Sequence, residues 1–281
     1  MSALRVKLPR CASILYVSLK LPNGMNVVLN LDFRSDPEIS IRTLIEIFVH
    51  RIYDLYVPKP GDTVIDVGAH IGLFTLKACS TMGPEGLIIA VEPEPYNLSL
   101  LNLNVAINKL NNVVIMPYAA MDYDGYARLY LHDLSTLHST LYKSNRYINV
   151  PCLTLDTMLK HLARIDLLKI DVEGAEVKVL KGASRVLRRT RNVIIEVHEN
   201  ALLEEVRNLL EEKDFNVTVY RHLFQWPLSL KVREMRLTIQ VEILRTLAKL
   251  LRGQFSTLLP ILRSLYYGLC KRPCAIRWID T

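Results

Sequence analysis

No run of about 20 uncharged apolar residues occurs in the 281-residue sequence, so nothing in it reads as a membrane-spanning helix. Cysteine is scarce. Its five occurrences, Cys11, Cys79, Cys152, Cys270 and Cys274, are odd in number and irregular in spacing, which excludes a disulfide scaffold and points to a reducing, cytoplasmic setting. Cys270 and Cys274 form a C-x-x-x-C pair, but no second Cys or His pair follows to complete a zinc site. The opening MSALRVKLPR lacks the apolar core of a secretory leader, so none is expected. Internal repeats and low-complexity segments are also missing, which excludes a solenoid.

What is present is enough for a sizeable core. Half the residues are hydrophobic and 22% are charged, a balance that folds rather than staying disordered. The net charge of +7 suits an anionic partner such as a membrane surface, a phosphorylated substrate or nucleic acid. It suits an ordinary basic protein as well, and specific nucleic-acid binding is not favoured.

Residues 13–33 read as two strands about Pro22-Asn23-Gly24, a hairpin signal. Residues 38–55 carry apolar side chains at helical spacing, with Ser35 or Asp36 as cap. From residue 63 onward, short apolar runs at 63–67, 87–92, 113–118, 166–171 and 193–198 alternate with helical segments at 72–81, 95–109, 154–162, 175–188 and 200–213. Such βαβα order predicts an α/β fold with a parallel sheet covered on both faces. Residues 126–150 interrupt it with strand-like pieces and a Ser/Thr-rich loop, and FNVTVYR (215–221) reads as a further strand. A basic helical stretch and a short final strand, CAIRWIDT, close the chain. The expected division is an N-terminal hairpin and helix at 1–57, a core at 58–222 and a basic helical region at 223–281.

The stretch GDTVIDVGAHIGLFT, residues 61–75, is a strand-to-helix turn in which Gly68 and Gly72 permit close backbone approach to a ligand. The dinucleotide fingerprint G-x-G-x-x-G fails, because His70 and Leu73 stand where glycines are required, and no Walker Gly-Lys-Ser/Thr follows. Glu92, about twenty residues past Gly72, closes the next strand, where a carboxylate accepts hydrogen bonds from ribose hydroxyls. A ribose without a pyrophosphate, as in S-adenosylmethionine, meets both conditions.

The segments DTVIDVGAHIGLFTL, AVEPEPYNLSLLNLNV, LTLDTML, DLLKIDVEGAEVKVLKGA and VIIEVHE, in that order, resemble the FkbM-type methyltransferases over roughly residues 55–200. The most specific piece is KIDVEGAE, residues 169–176. The resemblance implies a doubly wound, mostly parallel seven-stranded sheet of the Rossmann-like class I methyltransferases. It also implies S-adenosylmethionine as cofactor and O-methylation of a hydroxyl on a sugar, glycan or other small molecule. By position, Asp66, Gly68, Ala69 and Gly72 would line the methionine end of the cofactor. Glu92 would hold the ribose, with Pro93 and Asn97 shaping the turn after it, and Tyr118, Ala119 and Ala120 would lie near the adenine. His70 stands where the family usually has Asn, which puts its side chain's role in doubt and leaves binding intact.

Methyl transfer requires a held nucleophilic oxygen and an acceptor for one proton. Candidates project from the ends of strands four and five: Asp171, Glu196 and His198, the last a natural general base by its ordinary pKa. Lys169 shares a strand face with Asp171 and could pair with it or stabilise an alkoxide. Glu173 is read as a charge favoured at a helix N-terminus. Asp171, Glu196 and His198 would also make a hard-metal set, but their spacing is not diagnostic and no metal is assigned. Hydroxyls of residues 135–146, with His138, could touch an acceptor.

Two alternatives stay open. An RNA methyltransferase would fit the basic balance, but strand four lacks the Asn/Asp-Pro-Pro-aromatic motif, and the Pro-Cys pairs at 151–152 and 273–274 are not at its end. A non-catalytic binding module would rest on residues 231–272, where Ile239, Ile243, Leu247, Leu250 and Leu251 recur at helical spacing among Arg245, Lys249 and Arg252. That helix could lie on an anionic membrane, cover the site, join a homodimer or pack on its own domain.

Overall fold

The computed structural model describes residues 14–21, 24–32, 43–44, 46–131, 139–141 and 144–220. The chain divides into two compact units, 1–218 and 219–281, and the strands and helices described all belong to the first. The basic helical stretch, the closing CAIRWIDT and His138 lie outside the described residues.

The five apolar runs form one parallel sheet. Its strands are β3 (Thr63–Val67), β4 (Leu87–Val91), β5 (Val113–Met116), β9 (Ile165–Ile170) and β10 (Thr190–Ile195), in the order β10-β9-β3-β4-β5. The chain therefore starts in mid-sheet, winds outward one way, then returns to wind the other. The reversal lies between β3 and β9, where open α/β sheets leave a crevice beyond the strand ends. All six residues of β9 are buried, as a central strand covered on both faces demands. Helices α1 (Leu73–Met82), α2 (Pro95–Ile107), α3 (Leu155–Met158), α4 (Glu176–Lys181), α5 (Ser184–Leu187) and α6 (Leu203–Glu211) connect or follow these strands.

The N-terminal hairpin is as expected. β1 (Ile14–Lys20) pairs antiparallel with β2 (Asn26–Asp32). Its free edge is tied to α2 by two asparagines whose amides imitate backbone. The Asn104 side chain accepts from Val28 N–H at 2.7 Å and donates to the Ile71 carbonyl at 2.8 Å, so the hairpin grips the glycine turn itself. Asn108 accepts from Asn26 N–H at 2.7 Å. Leu21, Val27, Leu44, Ile47 and Tyr53 join the core on this face, making the leading segment part of the fold rather than an appendage.

Several elements differ from expectation. The helix expected over 38–55 is described as helical at 43–44, as a π-helical turn at Glu46–His50 and as turns thereafter; Arg51, at φ 58°, terminates it. The 175–188 helix is broken in two. Gly182 packs against the Met121 carbonyl so closely that a Cβ would lie 2.1 Å from the oxygen, and Asp156 caps the second piece by accepting from Arg185 and Val186 N–H. The strand-like pieces at the two ends of 126–150 belong to a separate three-stranded sheet, with β7 (Gly125–Tyr130) antiparallel and β6 (Ala119–Ala120) parallel to β8 (Tyr147–Leu153). The expected seven strands are five among the described residues. Residues 215–220 pair with no strand there; Phe215 and Val217 pack on the core as a strap, so their alternation reflects one-sided burial rather than a ladder.

Candidate functional site

Beyond the carboxyl ends of β3, β4 and β9 lies a cavity of about 250 Å³. Gly68, Ala69 and His70 of the glycine turn form one wall; Glu92, Pro93 and Asn97 form the next. Tyr118, Ala119 and Ala120, after β5, close that end. Lys169, Asp171, Glu196 and His198 line the other end, so the cofactor and catalytic candidates share one space. Asp66 and Gly72 do not reach it: they stand behind the wall, Gly72 at φ 91° against Leu101 and Asp66 fully buried.

The turn's conformation explains its residues. Gly68 sits at φ 74° with its N–H on the Val91 carbonyl. A Cβ there would lie 1.8 Å from the Asp171 carbonyl oxygen. His70 has φ 52°, in the left-handed region that Asn and His tolerate better than most residues. The Asn-to-His departure therefore keeps the backbone requirement, and the His70 N–H donates to Glu92 Oε2 at 2.8 Å.

Glu92 is buried at the end of β4. Its Oε1 accepts from Glu94 N–H at 3.0 Å, and Asn97 Nδ2 lies 3.5 Å away. Burial pushes its carboxyl up to about 7 against the opposing pull of the backbone donors at Glu94 and His70. Oε2 accepts one bond and keeps acceptor capacity, and the buried Asn97 Oδ1 has no hydrogen-bond partner among the described residues. These unused acceptors beside small alanine walls fit a ribose diol and its base. A folded-state pKa above the unfolded value of 4.5 means that this group favours the ligand-free fold most below 4.5 and loses that contribution as pH rises through 7. Ribose hydroxyls donate to the ionised carboxylate, so affinity for S-adenosylhomocysteine is expected to weaken as pH falls below about 7, by up to roughly tenfold per unit. Calorimetry between pH 5.5 and 8.5 checks this, and a flat profile would remove Glu92 from the ribose.

Lys169 is held on three sides. Its Nζ lies 3.1 Å from Asp66 Oδ1, 3.4 Å from Asp171 Oδ2 and 3.1 Å from the Gly68 carbonyl. Burial opposes its charge, but Asp66 and Asp171 hold its pKa above the ordinary lysine value. Asp66 in turn accepts from Thr75 Oγ1 at 2.7 Å. Lys169 thus makes the ion pair with Asp171 that the sequence allowed, and a shorter one with Asp66, while still lining the cavity.

The carboxylates at the other end gather round His198. Its Nδ1 lies 2.8 Å from Oε1 of the fully buried Glu176, which also accepts from Gly174 N–H. Its Nε2 faces Glu173 at 3.4 Å, Asp171 at 3.6 Å and Glu196 at 4.0 Å. Burial works against the imidazolium, yet Glu176, Glu173 and Asp171 raise its pKa to about 9, so it is charged at neutral pH rather than waiting as a free base. Burial likewise lifts Glu173 to about 7, and its carboxylate faces the cavity instead of merely serving a helix end. Burial would also raise Asp171, but Lys169 and His198 keep it below the usual carboxylate range.

Sequence reasoning missed Tyr53. Its hydroxyl lies 2.9 Å from Asp171 Oδ2 and 2.7 Å from Glu196 Oε2, and its ring packs edge-on against Phe74. No pattern around residue 53 signals this. The role of Glu176 was missed too, although it stands within the KIDVEGAE motif. In the Ser/Thr-rich loop, Thr140 lines the cavity and Ser139 Oγ donates to the Glu173 carbonyl at 2.6 Å.

Residues 66–217, more than half of the 281, match the methyltransferase FkbM domain. The chain belongs to the FkbM methyltransferase family, whose members depend on S-adenosylmethionine. It is 31% identical over 210 residues to methyltransferase sdnD of Sordaria araneosa, covering 62% of this chain and 81% of that protein. To the 31-O-demethyl-FK506 methyltransferase FkbM of Streptomyces tacrolimicus it is 30% identical over 239 residues, covering 71% and 89%. Among solved structures, the methyltransferase FkbM from Methylobacillus flagellatus is similar at 15% identity and a TM-score of 0.41, covering 62% of this chain and 48% of that one. The cavity of this FkbM-family chain lies wholly within or beside the matched span, except for the wall from residues 43–53. No helix among its described residues is long and apolar enough to cross a membrane.

Proposed function

We propose that the protein is an S-adenosylmethionine-dependent O-methyltransferase acting on a hydroxyl of a sugar, glycan or other small molecule. The observation that carries this reading is one cavity with a ribose-type carboxylate, Glu92, at one end and an acid–base cluster, Asp171, Glu173, Glu196 and His198, at the other. When bound, the cofactor supplies a methyl group on a positively charged sulfur. Glu92 and Asn97 would hold its ribose, Ala69 and the glycine turn its methionine end, and Tyr118 to Ala120 its base. The chain's own residues do the rest. Asp171 and Glu196, ordered by Tyr53, offer acceptors that orient a hydroxyl, and a carboxylate beside the charged His198, Glu173 among them, takes its proton. The surrounding Val67, Val91, Ile47 and Phe74 keep bulk water from the space. A hexuronic acid methyltransferase, AglP of Haloferax volcanii, is 24% identical over 163 residues and supports a sugar as one class of acceptor.

The test is calorimetry with S-adenosylmethionine and S-adenosylhomocysteine on the purified chain, paired with Glu92→Ala. Micromolar binding is expected, weakened roughly 100-fold by the substitution, since the charged hydrogen bonds to two hydroxyls are lost together. Transfer of labelled methyl to a hydroxylated acceptor panel then completes the assignment. Absence of binding by well-folded protein would overturn it.

A further inference from the structure

The three side chains Asp171, Glu196 and His198 are oriented in a way that hydrogen bonding among them does not account for. Each offers one donor atom within 4.8 Å of those of the other two, and His198 Nε2 faces both Asp171 Oδ1 and Glu196 Oε1. The contacts from Nε2 to these two oxygens are 3.6 and 4.0 Å, too long for hydrogen bonds. Neither Asp171 Oδ1 nor Glu196 Oε1 accepts a hydrogen bond from a side chain among the described residues.

The opposite atom of every one of the three is engaged. Asp171 Oδ2 faces Tyr53 Oη at 2.9 Å and Lys169 Nζ at 3.4 Å. Glu196 Oε2 faces the same Tyr53 hydroxyl at 2.7 Å. The single phenol proton serves these two carboxylates one at a time, yet both are drawn to it. His198 Nδ1 faces Oε1 of Glu176, which is fully buried and pinned by the Gly174 N–H. A ring nitrogen tied to a buried carboxylate keeps its own proton there, so a cation that displaces the imidazolium's other proton meets Nε2 as the lone-pair donor. Three outer atoms are thus anchored by an outer set of residues. Of the inner atoms, the two carboxylate oxygens have no side-chain donor among the described residues, and His198 Nε2 stands among carboxylates only, with Glu173 Oε2 at 3.4 Å beside them. Donors about 2.1–2.3 Å from a shared cation stand about 3–4.4 Å from each other, which small side-chain rotations reach from here.

We propose that Asp171, Glu196 and His198 bind one divalent cation, with Glu176 and Tyr53 as its supporting shell. Two carboxylates and one imidazole suit Mn²⁺ or a similar ion of intermediate hardness. Open positions on the ion face the cavity, where an acceptor hydroxyl would be bound and acidified. That role rests on the methyltransferase reading; the binding does not.

The experiment is titration of Mn²⁺ alone into the chelator-treated full chain, followed by electron paramagnetic resonance and calorimetry, with S-adenosylhomocysteine binding measured on the same samples. One saturable Mn²⁺ per chain is expected. Glu196→Gln, at a half-exposed side chain that does not hold the fold together, is expected to weaken it at least about tenfold, and Glu176→Gln roughly 10- to 100-fold through the ring it orients. No saturable binding at millimolar Mn²⁺, or binding that both substitutions leave unchanged, would overturn the site. Loss of S-adenosylhomocysteine binding with Mn²⁺ retained would instead sink the methyltransferase reading and leave the metal site standing.

Discussion

Replacing Lys169 with methionine is expected to destabilise the fold by about 3–5 kcal/mol, because it leaves buried Asp66 without its counter-charge. Methionine matches the stem in length and apolar character, so lost packing contributes little. What remains is a carboxylate sealed at the end of β3, bonded only to Thr75, and a second one at Asp171 robbed of its nearest cation. The double variant Lys169→Met with Asp66→Asn should recover most of the loss, since an amide can still accept from Thr75 and carries no charge. Urea unfolding of the two proteins gives the comparison directly. If the single variant stays within about 1 kcal/mol of the parent, the pair is not what holds the strand ends together.

Gly68→Ala is expected to be as damaging or worse, for a steric reason. The added methyl would lie 1.8 Å from the Asp171 carbonyl oxygen, a backbone atom that cannot rotate away, and φ 74° adds strain of its own. Gly61→Ala separates these two costs. Gly61 has nearly the same φ, 82°, with nothing within 4 Å, so its alanine should lose only the strain, about 1–2 kcal/mol. Accumulation of folded Gly68→Ala protein with a midpoint no lower than that of Gly61→Ala would refute the close approach between β3 and β9.

Much of this architecture can be read in the chain because it is local. Each strand is a short apolar run next to a helical segment, and most site residues named from the sequence sit at a strand end or just after it. Gly68, Glu92, Asp171 and His198 therefore come together once the strand order is known. Tyr53 was not legible, because its partners lie 118 and 143 residues away and only the folded hairpin side of the core aims it at them. The inward turn of Asp66 was not legible either: a carboxylate ending a strand looks the same whether it faces ligand or a buried lysine on the next strand. FNVTVYR misled for a related reason. Alternation records which side is covered, and a strap lying on a core produces it as readily as a strand does.

The wall supplied by residues 43–53 has an evolutionary consequence. The span that carries the family match begins at residue 66, yet the tyrosine that sets the two strand-end carboxylates comes from before it. Exchange of the leading segment would change what is set against Asp171 and Glu196 without altering a residue of the matched span. Two chains could then share every residue of KIDVEGAE and still diverge in the molecules they modify, with the difference written upstream of anything the shared pattern contains.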